Sequence, residues 1–199
     1  MFTTRPELVG TFGMVSSTHW LASSAGMAML EKGGNAFDAA VAAGMVLQVA
    51  EPHLNGPGGD LPLILHRTGS EKMEVICGQG PAPAGATLKH YKNLGLDLVP
   101  GTGLLATVIP GAFDAWMLML RDHGTLSLAE VFEPALHYAS QGIPVLERIK
   151  KTHPLFSNSF SGRNGPVPRK YFSQETKFQK STSFYAIRFF AKTWSKGSL

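Results

Sequence analysis

The chain has 199 residues, 44% hydrophobic and 16% charged, with a mean hydropathy near zero, as suits one soluble domain with a buried core. Its single cysteine, Cys77, excludes an internal disulfide, and no apolar window is long enough for a transmembrane helix. The net charge of +4 is unevenly spread: residues 1–156 hold 10 Lys+Arg against 13 Asp+Glu, whereas 157–199 hold 8 Lys+Arg against one acid, Glu175. The basic balance therefore belongs to the end of the chain and says nothing about the rest.

The first residues, MFTTRPELVG, lack the apolar stretch of a secretory leader, which predicts a cytoplasmic protein. Residues 13–17 read as a short strand. Thr18 is then a plausible N-cap for a helix through Lys32, with Leu21, Ala25, Ala28 and Met29 spaced to form one buried face. Gly33 and Gly34 stop that helix and Asn35 can cap the next. From Ala36 to Ala50 the only polar side chains are Asp38 and Gln48, so this helix should be buried on every side. At about 22 Å it is too short to cross a bilayer comfortably. Ala39, Ala40, Ala42, Ala43 and Gly44 keep its flank thin enough for other backbones to pack close. Pro52 ends it by driving Glu51 out of helical geometry.

After the turn GPGGD at 56–60, residues 61–66 and 72–78 flank a five-residue loop and read as a β-hairpin whose first strand is apolar enough to be central. A proline-rich loop leads into a short helix at 87–94. The run LLATVI between glycine and proline punctuation reads as a buried strand at 103–109. Pro110 and Gly111 turn into a helix at 112–122, and Ser127 caps another through Ser140, ended by Gly142 and Pro144. Beyond 157 serine, asparagine, glycine and basic residues dominate without a period, and FYAIRFFAKTW at 184–194 is both apolar and basic. The chain divides into 1–156, the front part of one domain, and a basic, divergent tail at 157–199. The tail reads as the product of a shifted frame or alternative exon, or else as a basic arm.

The run GGNAFDAAVAAGMVLQVAEPH, followed by the GPGGD turn, resembles the hallmark of the γ-glutamyltransferase (γ-glutamyltranspeptidase) family. The approach to it, MVSSTHWLASSAGMAMLEK, and the later IPGAFDAW and GTLSLAEVFEPALHYASQG are similar to that family as well. The resemblance covers about 9–153 and implies an α/β (α+β) chain, part of the αββα sandwich of N-terminal-nucleophile hydrolases. It implies a precursor that cuts itself into a large and a small subunit. The new N-terminal threonine of the small subunit attacks a γ-glutamyl amide, with its own amine as base, and the acyl group passes to water or an acceptor amine. These 199 residues resemble only the front of the large subunit, so no catalytic residue is carried over to this chain. The expected partners are a small-molecule amide substrate, in a full-length relative, and the small subunit of the same precursor. A truncated, non-catalytic product is the other reading.

Family members carry an arginine just after the second hairpin strand, in a segment resembling D-F-R-E-x-A-P, where its fork grips the substrate α-carboxylate. The matching residues here run from Cys77 to Pro83 and place Gln79 at the arginine position. Glutamine keeps a donor and an acceptor but no charge. This departure implies weakened γ-glutamyl specificity and a likeness to the oxamate amidohydrolase branch; the alternative is that Gln79 satisfies loop backbone.

Other groupings carry less. Thr3, Thr4 and the Ser17-Thr18-His19 run offer hydroxyls, but sequence neighbours seldom face one another as nucleophile and base. His53 reads as a turn residue, and Glu51 and Asp60 as capping or solvated acids. Gly56, Gly58 and Gly59 lack the Lys-Ser/Thr of a phosphate loop. No Cys/His spacing suits zinc, so no metal and no cofactor is expected, nor a nucleic-acid or membrane partner.

Overall fold

A computed structural model describes residues 7–101, 104–144 and 146. Its elements, in chain order, are α1 (Trp20–Glu31), α2 (Ala36–Ala50), β1 (Leu61–His66), β2 (Met73–Gly78), α3 (Leu88–Asn93), a 3-10 turn at Leu104–Ala106, α4 (Ala112–His123) and α5 (Leu128–Gln141). They fall into two compact units: the described residues of 1–53 together with those of 124–146, and those of 54–123. The mixture of helix and antiparallel sheet is the expected α+β class.

The first unit is built around α2, which packs against α1 and α5. Val41, Ala42, Met45, Val46 and Ala50 are fully buried, as an all-round apolar helix requires. The small residues let α1 come very near: a Cβ on Gly26 would lie 2.9 Å from the Ala39 carbonyl oxygen and 3.4 Å from Ala43 Cβ. Both ends of α2 are set by sequence. Asn35 Oδ1 accepts from the Phe37 and Asp38 N–H groups, while Asp38 Oδ2 accepts from the Asn35 N–H, a reciprocal capping box. Gly33, with φ +88°, supplies the left-handed turn between α1 and α2. In α5, Ser127 and Glu130 form a second capping box and Gly142 ends the helix.

Two expectations in this unit are corrected. Residues 13–17 do not form a strand; Gly13 and Val15 lie along α1, where a Cβ on Gly13 would come 2.9 Å from Leu30 Cδ1. The N-cap of α1 is His19, not Thr18: the imidazole Nδ1 accepts from the Leu21 N–H at 3.2 Å. A ring nitrogen two residues back reaches the same orphan donor that a hydroxyl would have taken. Of the predicted face, Leu21, Ala25 and Met29 are buried and Ala28 is half-buried.

The second unit is the hairpin with α4 across one face. β1 and β2 pair antiparallel in the register Leu61↔Gly78 to His66↔Met73, and Gly69 at φ +81° turns the loop between them. Side chains alternate across the two faces: Leu65 is buried, while Ile64 and Val75, opposite one another, are 74% and 69% exposed. Among the described residues the sheet has two strands, so β1 is not flanked on both sides as a central strand would be. The expected strand at 103–109 is absent from the described residues: Leu104–Ala106 is a 3-10 turn and Leu104 is 92% exposed. The segment makes one backbone bond to the loop beyond the hairpin, Ile109 N–H to the Pro81 carbonyl at 2.9 Å, instead of a ladder.

Candidate functional site

Gln79 stands on the most tightly enclosed backbone of the second unit. Gly78, the last residue of β2, is buried; a Cβ there would meet Ala115 Cβ at 2.4 Å and the Leu61 carbonyl oxygen at 2.7 Å. Gly80 has φ +76°, and its Cβ would fall 1.8 Å from the Ile109 carbonyl oxygen. Gly111 closes the arrangement from the other side, with a Cβ position 2.7 Å from both the Gly78 oxygen and the Gly80 nitrogen. Main chain packs directly on main chain at three glycines, and a side chain at any of them would force the strands apart.

The glycine turn at 56–60 joins the same assembly. Gly59 donates to the Gly56 carbonyl at 3.1 Å, and its own carbonyl accepts from the Ala112 N–H at 3.1 Å, where α4 begins. The 56–59 turn, the end of β2 and the start of α4 are thus locked together by backbone alone. What they hold out is the exposed side chain of Gln79. Cys77, two residues earlier and near the end of β2, donates its thiol to Gln79 Oε1 at 3.4 Å.

The other candidates lie elsewhere in the sequence. In the first unit the Thr18 hydroxyl donates to Glu51 Oε2, so the residue expected to cap α1 ties the chain before α1 to the end of α2. Glu51 is buried and His19 is 2% exposed. Ser17 Oγ donates to the His19 carbonyl at 2.7 Å and not to its ring. His53 is half-buried, and Asp60, in the second unit, is exposed. Thr3 and Thr4 lie outside the described residues, as does the basic segment 157–199. Among the described residues no group of three His, Cys, Asp or Glu could hold a metal ion.

Asp38 has a larger part than its cap position announces. Oδ1 accepts from the Thr125 N–H at 3.0 Å and the Leu126 N–H at 3.2 Å, and Oδ2 from the Thr125 hydroxyl at 2.7 Å. Burial pushes the carboxyl pKa up, but bonds from the Asn35 N–H, the Thr125 hydroxyl and the Leu126 and Thr125 N–H groups together outweigh it and leave it below the usual value. One carboxylate therefore fixes the start of α2 to the loop before α5. The acid three residues after a capping Asn is the signal for the first half of that role; no sequence signal marks the second.

The sequence profile of gamma-glutamyltranspeptidase matches residues 22–196, reaching well into the basic end of the chain. The glutathione hydrolase-like YwrD proenzyme of Bacillus subtilis is 39% identical over 182 residues, covering 85% of this chain and 34% of its own length. The oxamate amidohydrolase proenzyme of Klebsiella pneumoniae is 36% identical over 143 residues, 69% of this chain and 26% of its own. Among solved structures, LmbA2991HD superposes with a TM-score of 0.71 at 57% identity, over 84% of this chain and 31% of that one. The cephalosporin acylase of Bacillus halodurans gives 0.70 at 32% identity, over 86% and 32%. The chain thus spans about a third or less of each of these relatives.

Proposed function

Because this chain belongs to the gamma-glutamyltranspeptidase family, we propose that it forms the front of the large subunit of an N-terminal-nucleophile amidohydrolase, one that does not depend on a γ-glutamyl α-carboxylate. The nucleophile is a threonine supplied by a small subunit outside these 199 residues. Its hydroxyl oxygen attacks the amide carbonyl, its amine takes the proton, and the leaving amine departs protonated. The acyl ester then passes to water or to an acceptor amine. That two of the relatives are proenzymes supports a small-subunit partner made from the same precursor. The reach of the family match to residue 196 supports 157–199 as continued large-subunit chain.

The observation that carries the specificity is Gln79 at the arginine position, on a turn where Gly78, Gly80 and Gly111 let main chain pack directly on main chain. An amide there offers hydrogen bonds without charge, so an α-carboxylate loses its strongest anchor while a neutral acyl group loses nothing. The likeness to an oxamate amidohydrolase supports the same reading. The test is Gln79→Arg in the processed enzyme that carries this chain. The substitution should raise kcat/KM for a γ-glutamyl amide relative to an analogue lacking the α-carboxylate. An unchanged ratio would show that position 79 does not meet the acyl group.

A further inference from the structure

The orientation of the Gln79 amide is set by a neighbour. Gln79 follows directly on the end of β2, and Cys77 Sγ lies 3.4 Å from Gln79 Oε1 with the thiol as donor. Gly78 between them is buried, and a Cβ there would fall 2.4 Å from Ala115 Cβ and 2.7 Å from the Leu61 carbonyl oxygen, so the backbone that carries the two side chains is closely packed. With the carbonyl end of the amide occupied by the thiol, the Nε2 end is the group presented to a bound acyl chain. An amide flipped the other way would offer an acceptor instead.

We propose that Cys77 is a positioning residue for substrate binding: its thiol holds the Gln79 amide with Nε2 outward, so that the site takes acyl groups offering an oxygen acceptor, a carbonyl or carboxylate, at this point. The inference rests on the reading of Gln79 as a substrate contact and adds the residue that decides which half of the amide is used. Cys77 itself takes no part in bond making. Serine in its place keeps a donor of similar reach, whereas alanine leaves the amide free to turn.

The experiment is a double-mutant cycle in the processed enzyme that carries this chain, with a small acyl amide lacking an α-amino acid head as substrate and KM and kcat measured separately. Cys77→Ala should raise KM by about two- to tenfold, the range of one weak hydrogen bond, and leave kcat nearly unchanged. Cys77→Ser should restore the parent KM. In a Gln79→Ala background, Cys77→Ala should have no further effect, because the group it positions is gone. If Gln79→Ala raises KM while Cys77→Ala does not, or if the two effects simply multiply, the positioning role is overturned and the reading of Gln79 survives. If Gln79→Ala leaves KM unchanged, the reading of Gln79 itself falls. Melting temperatures of all variants should match the parent, since both side chains are exposed; a drop confined to Cys77→Ala would assign the thiol to structure instead.

Discussion

Replacing Asp38 by alanine should unseat the first unit, and the size of the effect can be worked from its bonds. The substitution strands four donors: the Asn35, Thr125 and Leu126 N–H groups and the Thr125 hydroxyl. Each buried unsatisfied donor costs about 1–3 kcal/mol, but Thr125 is exposed and water takes back part of its share. A net loss of about 3–5 kcal/mol follows, a large fraction of the stability of an ordinary domain. Asp38→Asn keeps one acceptor and turns an N–H toward donors, so it should cost about 1–3 kcal/mol. The carboxyl pKa is lowered by folding. Its contribution is therefore fully present above the unfolded value of about 3.9 and lost as the pH falls through the lower folded value. Urea unfolding followed by far-ultraviolet circular dichroism, at pH 7 and at steps below pH 5, measures both effects. An Asp38→Ala chain within about 0.5 kcal/mol of the parent, with the same acid sensitivity, would refute the reasoning.

Ala43→Glu would place a charge in the dry contact between α1 and α2 and should cost several kcal/mol, on the order of an unpaired buried ion; an unchanged melting temperature would contradict the central role of α2. Gly80→Ala should misplace Gln79, because the added Cβ falls onto the Ile109 carbonyl and φ is +76°; kcat/KM of the processed enzyme should fall by at least about tenfold, measured with the amide substrate. The 199-residue chain alone should neither cleave itself nor hydrolyse γ-glutamyl amides, since loss of a covalent nucleophile costs many powers of ten; turnover of a γ-glutamyl anilide abolished by mutating Thr3, Thr4 or Thr18 would relocate the active site.

Helices α2 and α5 were legible because each carries its own boundaries. Asn35 with Asp38, and Ser127 with Glu130, are capping boxes written three residues apart, and Gly33 and Gly142 stop α1 and α5. The hairpin was legible from two runs flanking a five-residue, glycine-bearing loop, although among the described residues its apolar first strand is not central. What failed depended on partners distant in sequence. LLATVI has the composition of a buried strand, yet no neighbouring strand pairs with it among the described residues, and Leu104 faces solvent. Thr18 has the chemistry of a cap, but its hydroxyl donates to the Glu51 carboxylate, 33 residues on, and the His19 ring accepts the cap bond from the Leu21 N–H. At the candidate site, Gln79 came from a family motif; the wedge of Gly78, Gly80 and Gly111 that holds it, and the thiol beside it, emerge only when 78–80 and 109–111 are seen in contact.

The central claim is that the enzyme carrying this chain reads its acyl group through an uncharged amide. Its most direct test is the ratio of kcat/KM for a γ-glutamyl amide to that for the same amide without the α-carboxylate, measured on the unmutated processed enzyme. Truncating a buried charge-assisted pair costs ~2–5 kcal/mol, so an enzyme without the arginine should show no preference for the γ-glutamyl compound, or a preference for its analogue. A preference for the γ-glutamyl compound of about a hundredfold or more would mean that another cation holds the carboxylate and that Gln79 does not set the specificity.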